Sequence, residues 1–105
     1  VTILELCRDS HATAKAKGWW EEPRNDGELI ALMHSELSEA LEALRHPGRK
    51  DEHLPTMDPV GLELADVLIR IGDFCEARGI DLDGCVIAKM VYNANRPYRH
   101  GGKAF

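Results

Sequence analysis

No stretch of this 105-residue sequence holds the roughly 18–20 consecutive apolar residues that a membrane helix needs, so no membrane contact is expected. Nothing near the start pairs a basic segment with a short apolar core, and no secretory signal is expected. Basic residues are outnumbered, 13 Lys and Arg against 18 Asp and Glu, for a formal charge of -5. A general nucleic-acid binder carries the opposite balance, so no nucleic-acid partner is expected. The three cysteines, Cys7, Cys75 and Cys85, are odd in number and lack C-x-x-C spacing. They suit neither a disulfide framework nor a zinc site, and fit reduced thiols packed as small apolar groups in a cytoplasmic protein. Alternation of apolar and polar residues never persists, so no strand is expected. Internal repeats and low-complexity tracts are absent as well.

The remaining composition, 44% hydrophobic and 30% charged, fits one soluble domain over residues 1–105. A chain this short buries a modest core, and self-association is expected from size alone. Apolar residues recur at spacings of three and four, which predicts helices at about 3–17, 28–45, 59–78 and 82–95, followed by a basic tail over 96–105. Gly18 stops the first, Asn25 or Asp26 caps the second, and His46-Pro47-Gly48 ends it. Asp58-Pro59 starts the third and Gly79 closes it. Asp81 or Asp83 begins the fourth, which stops near Asn95 because Pro97 disfavours helix at Arg96. Four helices with short connections predict an all-α fold resembling a four-helix bundle.

The third helix carries an unusual charge pattern. Val60, Leu64, Val67, Leu68, Ile71 and Cys75 form one apolar arc, and Leu62, Ala65 and Ile69 a second. Between them runs a narrow lane of Glu63, Asp66, Arg70 and Asp73, hemmed in on both sides and therefore expected to be partly buried. On the second helix Glu36 and Glu39 border a stripe of Ile30, Met33, Leu37, Ala40, Leu41 and Leu44. Either pair alone reads as a solvated face. Two such pairs facing each other would gather four carboxylates, whose repulsion a hard divalent cation relieves. All-oxygen ligation favours Mg²⁺, with Mn²⁺ as a substitute. A di-iron site would need Glu-x-x-His motifs, which are absent.

On the fourth helix Lys89, Asn93 and Arg96 line one face, and Tyr98, His100 and Lys103 follow. Cations and amides beside a metal site suit a polyphosphate substrate; the alternative is a basic helix end that complements the macrodipole. Arg49 and Lys50, in the loop over 47–57, either close over phosphates or belong to a solvated connector. Trp19 and Trp20 either cover the bundle end or stack on a base, Trp20 being the candidate for the second role. His11 and His34 read as core or surface groups within helices.

These residues together resemble the MazG-type all-α nucleoside triphosphate pyrophosphohydrolases, a superfamily that includes dCTP pyrophosphatases and dimeric dUTPases. The resemblance rests on Glu36-Leu-Ser-Glu39, Glu63-Leu-Ala-Asp66-Val-Leu, Ile80-Asp81-Leu82, Lys89-Met90, Asn93 and the run from Arg96 to Lys103, and spans residues 26–105. It implies a homodimer or homotetramer holding Mg²⁺ on Glu36, Glu39, Glu63 and Asp66. It also implies cleavage of a nucleoside triphosphate between its α- and β-phosphates, giving the monophosphate and pyrophosphate, as nucleotide-pool housekeeping. Many relatives carry a further Glu directly before the first motif, where this chain has Ser35. Within such a site a carboxylate takes the proton of the attacking water, Glu39 first and Glu36 next. Lys89, Arg96 and Lys103 would stabilise phosphate charge, with Asn93 and Tyr98 bonding to phosphate or sugar. The competing expectation is a non-catalytic helical module that senses nucleotide or binds a partner.

Overall fold

A computed structural model describes residues 1–98. It contains α1 (Ile3–Ala16), α2 (Asp26–Arg45), α3 (Pro59–Arg78) and α4 (Leu82–Ala94), with no strand among the described residues. None of these helices is long and apolar enough to cross a membrane.

Side-chain caps set the boundaries. Thr2 and Glu5 form a reciprocal capping box at the start of α1. Asn25 accepts from the Glu28 N–H at 3.1 Å, so α2 begins at Asp26, two residues before the expected Glu28. Asp58 accepts from the Val60 N–H at 3.0 Å with Pro59 in the first helical position. Gly79 ends α3 in the left-handed region, at φ 67°. Asp81 rather than Asp83 caps α4, accepting from the Gly84 N–H at 3.0 Å.

The centre of the fold is α3, which packs against α1 on one side and α2 on the other, while α4 leans on α1. This arrangement is more open than a closed bundle. Gly72 makes the α1–α3 approach possible: a Cβ there would lie 3.3 Å from the Cys7 Cα and the Leu6 carbonyl oxygen. Cys7 and Cys75 are buried, as is Val67.

The inward face of α2 differs from the expected stripe. Leu29 and Ala40 are buried and Met33, Glu36 and Ala43 half-buried, whereas Ile30, Leu37, Leu41 and Leu44 are exposed. Met33 and Ala40 keep their expected inward places, while Leu29, Glu36 and Ala43 each precede an expected residue by one, about 100° around the helix. The small Ala40 and Ala43 face α3, and that rotation carries Glu36 inward. On α3 the arc holds at Val60, Val67, Ile71 and Cys75, but Leu64, Leu68 and Ile69 are exposed.

Candidate functional site

Three of the four expected metal ligands converge. Glu36 of α2 and Glu63 and Asp66 of α3 each offer a carboxylate oxygen, and these oxygens lie within 4.8 Å of one another. The i, i+3 spacing puts Glu63 and Asp66 on one face of α3, and the rotation of α2 aims Glu36 at them. Glu36 and Glu63 are half-buried, but Asp66 is exposed, contrary to the enclosed lane. The reason is that Ile69, beside it in the second arc, is itself open to a groove. Arg70, one turn after Asp66, donates from Nε to Glu36 Oε1 at 2.9 Å.

Electrostatics mark the same residues. Burial pushes the Glu63 carboxyl above its ordinary range, and the neighbouring charges of Asp66, Glu39, Glu36 and Asp51 add to the effect. Burial also raises Asp66, reinforced by Glu36 and opposed by the Arg70 guanidinium.

Glu39 stands apart from the converging three. It is exposed and lines a small cleft of about 210 Å³ with Glu63, Arg49, Lys50 and Asp51. Asp51 escaped the sequence analysis because it sits in a polar loop without helical periodicity. Its Oδ1 accepts from the His53 and Leu54 N–H groups, each at 2.8 Å, which lowers its pKa and fixes the loop.

A groove of about 510 Å³ runs between α1 and α2 with α3 as its floor. Glu36, Asp66 and Arg70 line it, as do Trp19, Arg24, Leu29 and Asp73. Trp19 is 52% exposed, and the Arg24 guanidinium sits 5.7 Å from its ring centroid. Trp20, the candidate stacking residue, is not among the lining residues but holds one of them, Asp73. Its indole Nε1 donates to Asp73 Oδ1 at 2.9 Å, and the Arg78 guanidinium covers its ring at 5.5 Å. His11 Nδ1 meets the same Oδ1 at 2.7 Å, and its ring meets Trp20 edge-on. Asp73 is thus the anchor of the Trp19-Trp20 turn. The 62-residue separation of His11 and Asp73 gave no local signal for this.

The basic face of α4 does not line the groove. Lys89 Nζ and the Arg96 guanidinium lie 5.1 and 5.9 Å from the Tyr92 ring centroid, and Asn93 and Tyr98 are exposed. Lys103, with the rest of 99–105, lies outside the described residues.

Comparison of the chain with protein-family profiles, curated proteins and solved structures returned no match.

Proposed function

We propose that this chain is a Mg²⁺-dependent nucleoside triphosphate pyrophosphohydrolase. The observation that carries the reading is the convergence of Glu36, Glu63 and Asp66 at one side of a groove large enough for a nucleoside. The donor set fits the ion. Magnesium binds oxygens at about 2.1 Å, so its ligands lie up to about 4.2 Å apart, and small side-chain rotations bring these three within that limit. Three carboxylates against one guanidinium also leave negative charge in want of a cation.

In this reading Glu36, Glu63 and Asp66 hold the ion, and Glu39 lies outside that set, in the adjoining cleft that Glu63 also lines. The ion would supply Lewis acidity at the α-phosphate and make an attacking water more acidic than bulk. Glu39, exposed and outside the converging three, is placed to accept the proton of that water. Arg70 orients Glu36 through its Nε hydrogen bond. Arg49 and Lys50 border the Glu39–Glu63 cleft, where they can grip the departing phosphates. Lys89, Asn93 and Arg96 do not line the groove of their own chain, and in a homodimer or homotetramer a second copy would supply them. Surplus or damaged nucleotides in the cytoplasm are the natural substrates of such an enzyme.

Pyrophosphate release from a panel of nucleoside triphosphates, with and without Mg²⁺, tests the proposal. Glu63→Gln is expected to lower turnover at least about 100-fold while keeping the helical fold. Full turnover by Glu63→Gln would remove the metal assignment. The second reading, a non-catalytic module that senses nucleotide or binds a partner, draws on the exposed stripe of α2. It predicts nucleotide binding in a calorimeter with no pyrophosphate released from any substrate.

A further inference from the structure

We propose that Asp73 selects among nucleotides by their base, so that the groove takes bases whose exocyclic amine lies on the major-groove side of the Watson–Crick edge, cytosine and adenine, in preference to uracil and thymine, which carry a keto oxygen there. The inference rests on the reading of this groove as a nucleotide site and adds the class of base.

Asp73 is a fixed acceptor. Its side chain is 19% exposed, and Oδ1 takes two donors, His11 Nδ1 at 2.7 Å and Trp20 Nε1 at 2.9 Å. Both donors are themselves held, since the two rings meet edge-on with centroids 5.4 Å apart and Arg78 covers Trp20. Among the described residues Oδ2 makes no hydrogen bond, and the residue lines the groove. A half-saturated carboxylate, fixed through its first oxygen, therefore lines the groove with acceptor capacity to spare.

Position supplies the other half of the argument. Asp66 and Asp73 line the same groove two turns apart on α3, about 10.5 Å along the helix axis. With the phosphates at Glu36 and Asp66, the base end of the ligand falls at Asp73. Trp19 also lines the groove and offers an aromatic face there. An ionised carboxylate only accepts hydrogen bonds. An exocyclic amine satisfies Oδ2, whereas the keto oxygen at the same place on uracil or thymine sets lone pair against lone pair. A mismatch of this kind leaves desolvated polar groups unpaired and is expected to weaken binding at least about tenfold.

Calorimetry with non-hydrolysable α,β-methylene analogues of dCTP, dATP, dUTP and dTTP, in Mg²⁺, tests the proposal on the unmodified chain. The dCTP and dATP analogues are expected to bind at least about tenfold more tightly than the other two. Dimethylation of the cytosine amine, which removes both donors and keeps the ring, is expected to abolish the advantage. Asp73→Asn can keep its carbonyl oxygen toward His11 and Trp20 and turn an N–H toward the base, which reverses the preference toward uracil and thymine. A merely structural Asp73 would weaken all four analogues alike. Equal affinity of the unmodified chain for the dCTP and dUTP analogues, or no binding of any analogue, overturns the proposal whether or not the variant folds. Pyrophosphate release from the natural nucleotides is read in parallel. Amine-selective binding without release removes the hydrolase reading and leaves the base site; release without base preference does the opposite.

Discussion

Glu63 and Asp66 are held in their protonated forms more readily than free carboxyl groups, chiefly by burial and then by the charges around them. Such groups bind more protons folded than unfolded. Their contribution to stability is complete below the ordinary carboxyl range and is lost as pH rises through the raised values. Metal-free protein at neutral pH therefore carries a destabilising acid cluster, and Glu63→Gln is expected to raise its melting temperature there. Glu5 and Asp51 titrate in the opposite sense, held low by hydrogen bonds, so the pH profile of one protein mixes both effects. The difference between Glu63→Gln and the unmodified chain isolates the cluster. Melting in EDTA should show that difference largest at neutral pH and shrinking as pH falls through the raised carboxyl range. Added Mg²⁺ should reverse it at neutral pH by stabilising only the unmodified chain. A difference that grows on acidification would contradict the assigned electrostatics.

Among the elements, α3 decides the architecture because it touches both flanking helices. Two of its glycines should respond oppositely to the same change. In Gly72→Ala the new methyl meets α1 backbone at 3.3 Å, atoms that move only if the whole helix moves. Overpacking of this kind costs about 1–3 kcal/mol, more than the roughly 1 kcal/mol that alanine gains over glycine in a helix. In Gly61→Ala the nearest foreign atom is the Asp58 Cβ at 3.5 Å, an ordinary contact, so the helix-propensity gain of about 0.5–1 kcal/mol should survive. Chemical denaturation of both variants checks the pair of signs. Helix number, type and ends were legible in the sequence because caps and glycine stops act within four residues. The faces were less so. On α2 the expected stripe was right at Met33 and Ala40, but elsewhere the larger side chains of Ile30, Leu37, Leu41 and Leu44 outweighed the small Ala43 on hydrophobicity alone. Close packing on α3 favours the small residues instead. The acid pairs were visible as i, i+3 patterns, whereas the roles of Asp51 and Asp73 depend on a loop turn and on a partner 62 residues away.

The molecule as a whole is more open than a compact chain of its size. Scaling for a compact 11.7 kDa monomer predicts a surface of about 5,900 Å², and the chain exposes 8127 Å². Its radius of gyration, 16.4 Å, likewise exceeds the roughly 13 Å of a compact domain this size. Only five hydrophobic residues are buried among those described, three of them cysteine or alanine. The excess of about 2,200 Å² is well above the roughly 800 Å² that each partner contributes to an ordinary stable interface. The exposed surface includes Ile30, Leu37, Leu41 and Leu44 on α2 and Leu64 and Leu68 on α3. A second copy covering these residues would give the core that one chain lacks, so the proposed dimer or tetramer is expected to be stable at micromolar concentration. Its melting temperature should then rise with protein concentration, since association stabilises only the folded state. Leu41→Glu puts a charge into the covered stripe and should shift sedimentation toward monomer, lower the melting temperature and remove its dependence on concentration. Both signatures are needed, because a charge that merely disturbed one chain would lower stability without changing mass. A wild-type chain that sediments as a monomer across that range, with a melting temperature independent of concentration, would leave the exposed leucines without a partner of their own kind and would count against any site completed by Lys89, Asn93 and Arg96 of a second copy.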